Sequence, residues 1–162
     1  MKTVIIIAAM LLGLYSQAQV KSVNLQASGL TCSMCSNSIN KALKTVAFVE
    51  KVVPNIKTST FEITFKPGEE VDFDLLKKKV EDAGFSVSKF LAIVSFNNVA
   101  IVNNLPVTVG NKTFRFINVK DQSLTGDKAI RIIDKGFVTP KELKKTNLSA
   151  AGNGQRIYNA TI

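Results

Sequence analysis

The stretch Gly29-Leu30-Thr31-Cys32-Ser33-Met34-Cys35 contains both cysteines of the 162-residue chain. Apolar and polar residues alternate just before it, which predicts a short strand that Gly29 ends. Just after it, apolar residues recur at the spacing of one helix face. The strand positions are Val23, Leu25 and Ala27, and the helix positions are Ile39, Leu43 and Val46. We therefore expect the stretch to be a loop between a strand and a helix, with Cys35 in the first helical turn.

The pattern continues in the same style as far as Lys89. Two further strands are predicted at Phe48–Val53 and Phe61–Phe65, where the second alternates cleanly. Asp72 can cap a second helix, Gly84 stands where that helix should stop, and a last strand opens directly afterwards. The order strand, helix, strand, strand, helix, strand predicts an α+β, ferredoxin-like βαββαβ sandwich over residues 20–89.

Residues 90–162 are predicted to form a second, small, mostly-β domain resembling a barrel, because short β-branched runs alternate there with turn residues. The runs are Leu91–Phe96, Val99–Val102, Val107–Val109, Phe114–Val119, Ala129–Ile133 and Ile157–Ile162. The sequence Thr139-Pro140-Lys141-Glu142 is typical of a capping box at the start of a short helix.

The first 18 residues have the features of a cleaved signal peptide. Lys2 precedes an apolar run from Val4 to Leu14, and the small-residue site Ser16-Gln17-Ala18 follows. The apolar run is too short to span a bilayer permanently. We therefore expect a protein that is exported to the periplasm or secreted, with a mature chain that begins at Gln19.

Positive charge is concentrated in the second predicted domain. Val20–Val87 contains 9 Lys and 8 acidic residues, whereas Ser88–Ile162 contains 8 Lys and 3 Arg against 4 acidic residues. Because exported proteins seldom meet nucleic acid, we expect no nucleic-acid partner. The excess favours weak contact with an anionic surface or an acidic partner; a solvated basic face with no partner is an equal alternative.

Composition excludes several kinds of catalysis. The chain has no His, which rules out Ser-His and Cys-His pairs and any zinc site that uses imidazole. No acid/base pair or phosphate-binding loop is visible, so the protein is predicted not to be an enzyme.

Cys32 and Cys35 are the candidate metal ligands. A helix N-terminus favours the thiolate form, which is the form that binds metals. Structural zinc needs four ligands, whereas the soft ion Cu(I) is satisfied by two thiolates, and Hg(II) has the same preference. Met34 could add a thioether, although a side chain between two ligands more often points to solvent. A thioredoxin-like redox pair and an inert disulfide are the alternatives that the pattern leaves open.

The loop Gly29–Cys35, the helix face of Ile39, Ala42 and Leu43, and the closing Ala83-Gly84-Phe85 resemble the heavy-metal-associated domain found in copper chaperones, copper-transporting ATPases and periplasmic mercury-binding proteins. The resemblance covers about Val23–Val87. It implies metal held by Cys32 and Cys35, a site framed by Thr31 and Phe85, and ion transfer through thiolate exchange. Leu30 replaces the family's usual Met, and Phe48 replaces its usual Gly.

The sequence thus predicts an exported Cu(I) carrier that holds one ion per chain. Its expected partner is a protein that donates or accepts the metal, such as a membrane transporter. A periplasmic mercury-binding protein and a thiol–disulfide redox protein are the main alternatives. A third is an interaction protein whose basic domain is the functional part.

Overall fold

The computed structural model describes residues 20–30, 32–146 and 156–162. The predicted signal peptide, residues 1–18, and Thr31 lie outside the described residues. The first group of elements is β1 Val20–Ser28, α1 Ser33–Lys44, β2 Val49–Asn55, β3 Thr60–Phe65, α2 Phe73–Asp82 and β4 Ser86–Ile101. The second group is β5 Pro106–Val109, β6 Lys112–Phe116, β7 Gln122–Ile132, α3 Pro140–Leu143 and β8 Ile157–Thr161.

The predicted βαββαβ order is confirmed for the first part of the chain. Its strands lie in the order β2-β3-β1-β4, with every neighbouring pair antiparallel. Alternate residues of the strands, such as Leu25 and Ile63, are fully buried together with Leu43 of α1 and Leu76 of α2. One apolar face of each helix therefore packs on the sheet, as the helical spacing of these residues predicted.

Both predicted ends of α2 are present. The Asp72 side chain accepts a hydrogen bond from the backbone N–H of Leu75 at 3.1 Å, which satisfies one of the unpaired donors of the first turn. Gly84 has a φ of +89°, a backbone conformation that side chains with a Cβ rarely adopt, and the chain turns there into β4.

The later strands extend the same sheet, so the separate barrel-like domain predicted for residues 90–162 is not confirmed. The described strands form one eight-stranded sheet in the order β2-β3-β1-β4-β7-β8-β6-β5. Most neighbours are antiparallel, and β6 pairs with β8 in parallel. The outer strands β2 and β5 each carry a proline, Pro54 and Pro106.

Strand β4 explains why the sheet is continuous. The predicted boundary between residues 89 and 90 falls within this 16-residue strand. The alternating pattern passes through Lys89 without a Gly or Pro, so nothing stops the strand there. The runs that we predicted as two strands are one strand, with a shift of register between Phe96 and Val99 and a φ of +49° at Asn98.

The two predicted domains, residues 20–89 (the first half) and residues 90–162 (the second half), also share one core. The Phe73 ring of α2 lies 5.0 Å from Phe90 of β4 and 5.2 Å from Tyr158 of β8, measured between ring centroids. Phe137, which precedes α3, lies 5.1 Å from Phe90 at a right angle. These are favourable aromatic geometries, so helix α2 of the first half is held by rings from the second.

The short helix α3 is capped as predicted, in part. The Thr139 side chain accepts a hydrogen bond from the N–H of Glu142 at 3.4 Å. The Glu142 carboxylate pairs with Arg131 of β7 at 2.7 Å. In a complete capping box, the Glu142 carboxylate would accept a hydrogen bond from the backbone N–H of Thr139. Here the ion pair with Arg131 engages that carboxylate instead.

Candidate metal centre

The end of β1 and the start of α1 hold the two cysteines together. After β1, Gly29 turns the chain with a φ of +85°. Cys32 then has extended backbone and is the N-cap of α1, and its sulfur accepts a hydrogen bond from the backbone N–H of Cys35 at 3.3 Å. Cys35 lies in the first turn, as predicted. The cysteine pair is thus part of the helix start itself.

The two sulfur atoms lie 2.7 Å apart and share a hydrogen bond in which either thiol can be the donor. Cys32 is exposed, whereas Cys35 is half-buried. Two sulfurs that bind one ion lie apart by at most twice the metal–sulfur distance, which is about 2.3 Å for zinc thiolates. Binding of one ion would therefore move the two sulfurs apart by at most about 2 Å. The exposed Cys32 side chain has room for that movement. The pair can therefore bind one soft ion or close into a disulfide.

Phe85 lies beside the cysteine loop. Its backbone N–H donates to the Val80 carbonyl at 3.1 Å, which fixes the residue just after α2. A Cβ placed on Gly29 would lie 3.9 Å from the Phe85 ring, so the half-buried ring reaches the turn that precedes Cys32. Leu30 packs on the same core. Phe85 therefore lies beside the turn that precedes Cys32, and its role as a shield of the metal stays a prediction.

The other predicted framing residues behave differently. Met34 is 79% exposed, which fits a side chain directed to solvent. Thr31 lies outside the described residues. Within the described part of the chain, no group of three or more Cys, His, Asp or Glu side chains is arranged to hold a metal. The two cysteine sulfurs stay the predicted ligands.

The β2–β3 hairpin also flanks the cysteine loop, and sequence reasoning missed it. The N–H of Ala27 donates to the Ser59 carbonyl at 3.0 Å, which holds the hairpin tip against the end of β1. Val53 is 44% and Ile56 is 60% exposed there. Exposed apolar side chains were the available signal, but only strand pairing shows that the hairpin tip lies at the same end of the sheet as the cysteine loop.

A second polar cluster joins α2 to the later strands. Asp74 accepts hydrogen bonds from Arg156 at 2.8 Å and from the Tyr158 hydroxyl at 3.0 Å, and Lys77 lies 3.3 Å away. Burial raises the pKa of Asp74, but the Arg156 guanidinium and the hydrogen bonds outweigh burial and hold the pKa below its usual value.

Asp134 is the buried counterpart in this cluster. Its carboxylate accepts from the Asn159 amide at 2.6 Å and lies 3.1 Å from the Arg156 guanidinium. Burial raises the pKa of Asp134 above its usual value, against the lowering effect of these two partners. No sequence signal reveals this cluster, because its members are separated by up to 84 residues.

Comparisons with known proteins find similarity over the part of the chain that contains the cysteines. The family model for the heavy-metal-associated domain matches residues 24–86. A probable copper-exporting P-type ATPase of Archaeoglobus fulgidus is 39% identical over 67 residues, which are 41% of this chain and 8% of that relative. The chain thus spans less than a tenth of the relative's length.

Two solved structures are similar to the same region. The Atx1–Cu(I)–Ccc2a complex contains a chain with 34% identity, and the match covers 42% of this chain and 92% of that one, with a TM-score of 0.37. Oxidised MerP from Ralstonia metallidurans CH34 has 31% identity, with 43% and 96% covered and a TM-score of 0.39. In the described residues, no helix is long and apolar enough to cross a membrane.

Proposed function

Residues 24–86 belong to the heavy-metal-associated domain family, and from this membership we propose that the protein is an exported Cu(I) carrier. Cys32 and Cys35 hold one ion between two thiolates. The observation that carries the proposal is the position of both sulfurs at the N-terminus of α1, where the helix dipole and the Cys35 N–H favour negative charge on sulfur. Soft thiolate ligands select Cu(I) over hard cations.

Transfer of the ion follows from the unequal exposure of the two sulfurs. An incoming thiolate of a partner reaches the exposed Cys32 side first, bonds to the ion and displaces one ligand. Cys35, which is half-buried, holds the ion until the second exchange. The partner is a donor or acceptor with its own thiolates, such as the soluble domain of a membrane transporter.

An anaerobic Cu(I) titration against a competing chelator tests the carrier proposal. We expect one Cu(I) per chain, and a loss of affinity of more than about a hundredfold in both Cys32→Ser and Cys35→Ser, since even an outer-shell change costs about 10–100-fold. Met34→Ala is the control and should bind as the wild type does, because Met34 is 79% exposed. Unchanged affinity in either serine variant would overturn the proposal.

Hg(II) is the second cargo to consider, since two thiolates suit it and MerP is among the similar structures. Titration of the same variants with each metal at buffered free concentration separates the two. If the protein carries copper, it should keep Cu(I) in competition with the Cu(I) chelators of its compartment. If it carries mercury, it should lose Cu(I) to those chelators.

The short distance between the sulfurs favours a redox role as the other candidate. At 2.7 Å the two thiols are close enough for an external oxidant to join them in a disulfide, with loss of two electrons and two protons. Thiols and copper should be counted together on protein recovered from its own compartment without added reductant. Copper near one per chain with protected thiols supports the carrier, and a complete disulfide without metal supports redox chemistry.

Export rests on the predicted signal peptide. Mass spectrometry of the mature protein should give a chain that begins at Gln19 and is found in the periplasm or the medium. A full-length, cytosolic product would remove export from the proposal and leave the metal site as it is.

A further inference from the structure

A groove of about 650 Å³ lies at the N-terminal end of α2. The first half contributes Phe48, Glu70 and Asp72 to its lining, and the second half contributes Asn111, Lys112 and Tyr158. Ten residues of helix, about 15 Å, separate this end of α2 from the end next to Phe85. The groove is therefore remote from the cysteine pair, and it exists because the later strands pack against α2.

Lys112 is a cation of this groove that has no direct counter-ion among the described residues. The residue is only 7% exposed, and its Nζ lies 5.1 Å from the centroid of the Phe73 ring. Among the described residues, no carboxylate or carbonyl makes a hydrogen bond or ion pair with Nζ. Burial lowers the pKa of Lys112, and Glu70, Asp72 and Asp74 oppose that effect only through longer-range charge. A buried ammonium without a direct counter-ion is costly.

The three carboxylates near Lys112 differ in the hydrogen bonds and ion pairs that they already make. Asp74 is satisfied by Arg156, Tyr158 and Lys77. Asp72 uses one oxygen to cap α2. Glu70 is exposed and makes no ion pair in the described part of the chain. Arg156 also lines the groove, but its guanidinium is paired with Asp74 and Asp134. The groove therefore offers one buried positive charge that has no ion pair among the described residues and, close by, two carboxylates with acceptor capacity to spare.

This combination selects a ligand by charge. A dianion such as phosphate would be repelled by the surrounding carboxylates, and a metal cation would be repelled by Lys112. A molecule with one carboxylate and one ammonium matches both. The rings of Phe48 and Tyr158 supply apolar surface beside these charges.

We propose that the groove binds a small zwitterion, an α-amino acid with an apolar side chain, whose carboxylate pairs with Lys112 and whose ammonium pairs with Glu70 and Asp72. The ligand completes the ion pair that Lys112 lacks. This site is independent of the cysteine pair, and nothing in it depends on bound copper.

Titration of the full chain with L-leucine, followed by amide and side-chain NMR shifts, tests the proposal. Saturable shifts are expected at Lys112, Glu70 and Asp72 and not at Cys32. The matched compounds 4-methylpentanoate, which lacks the amine, and 3-methylbutylamine, which lacks the carboxylate, should each bind at least about tenfold more weakly, as expected for one lost charged hydrogen bond. No saturable shift with leucine, or equal binding of all three compounds, overturns the proposal.

Two variants test which side chains pair with the carboxylate and the ammonium of the ligand. Lys112→Met keeps the side-chain stem against Phe73 and should abolish binding of leucine. Glu70→Gln, at an exposed position, should weaken leucine binding yet leave 4-methylpentanoate binding equal or stronger, because a repelling carboxylate is removed. If Lys112→Met fails to fold, Glu70→Gln still decides: unchanged leucine affinity in that variant contradicts the proposal. Cu(I) affinity should be unchanged in Glu70→Gln.

Discussion

Cys32 caps α1 with the same sulfur atom that we propose as a metal ligand. It accepts the Cys35 N–H as the N-cap of α1, and it is also one of the two candidate ligands. Because serine is a good N-cap residue and a poor ligand for a soft metal, the two roles can be separated by choice of substitution.

Cys32→Ser should lose metal affinity while the apo protein keeps its stability. Cys32→Ala should lose the metal and also about 0.5–2 kcal/mol of unfolding free energy, the typical cost of removing a cap. Urea unfolding of the metal-free proteins measures the difference. Equal stability of the two variants would mean that the sulfur does not cap α1.

Asp74 and Asp134 should affect acid stability in opposite directions. The pKa of Asp74 in the folded state lies below 3.8, so its stabilisation is complete above that pH and is lost as pH falls through the folded pKa. The pKa of Asp134 lies above 3.8, so the folded state gains stability as pH falls toward 3.8.

The measurement is the free energy of unfolding against pH for Asp74→Asn and Asp134→Asn. Asp74→Asn should lose stability less steeply than the wild type below pH 3.8. Asp134→Asn should lack the gain in unfolding free energy that the wild type shows as pH falls toward 3.8. Parallel curves for the two variants would show that their folded pKa values are not shifted apart.

At the scale of elements, the β2–β3 hairpin is the feature that we expect to matter for metal transfer. It presents Val53 and Ile56 to solvent beside the end of β1. A partner that brings thiolates to Cys32 must pass close to this hairpin, and exposed apolar side chains are the usual anchors of such contacts.

Ile56→Ser should slow Cu(I) transfer to an acceptor with its own thiolates by roughly fivefold, the effect of about 1 kcal/mol at an interface. Cu(I) affinity should not change, because Ile56 touches no ligand. Leu105→Ser is the matched control: Leu105 is 56% exposed but lies in the connection between β4 and β5. Equal slowing by both variants would point to a general effect of surface polarity.

Local patterns predicted the elements well, and tertiary pairing explains what they could not predict. The caps of α2 and α3 and the strand–loop–helix around the cysteines depend on residues within a few positions of one another, so the sequence revealed them. The course of β4 was predicted in pieces, because Asn97-Asn98 reads as a turn and is a bulge instead. Which sheet the later strands join depends on pairing over long separations, which periodicity does not encode.

The same reasoning applies to the sites. Cys32 and Cys35 could be proposed as ligands from the sequence because metal chemistry needs few, closely spaced residues of rare type. Phe85 was placed by the resemblance and lies near Gly29 in the structure. The cluster of Asp74 with Arg156, and the burial of Lys112, come from contacts between distant parts of the chain, for which a sequence of common charged residues carries no signal.

For the whole molecule, the shared aromatic core implies that both halves unfold together. Phe137→Ala should lower the free energy of unfolding by about 3–5 kcal/mol, the usual cost of emptying a buried Phe site. Although Phe137 lies in the second half, its ring packs on Phe90 and lies under Lys77 of α2. We therefore expect the cysteine loop to lose protection along with the rest.

Two probes measured during the same urea titration check this. Tyr158 fluorescence reports the second half, and the rate at which the half-buried Cys35 is modified reports the first. Their midpoints should coincide in the wild type and shift together in Phe137→Ala, while Ile56→Ser, at an exposed position, should leave them in place. Separate midpoints would show two independently folding units.

The uninterrupted strand β4 has one more consequence, which concerns cargo and lifetime. A ligand that binds only the native state stabilises whatever unfolds with its site, by about 2.7 kcal/mol at a hundred times its dissociation constant. Because β4 and the Phe73 cluster tie the cysteine loop to the last strand, a bound ion should protect the described strands, β8 included, from proteases. A loaded carrier would then outlive an empty one, and the amount of protein in the compartment would follow the supply of metal without any change in its synthesis.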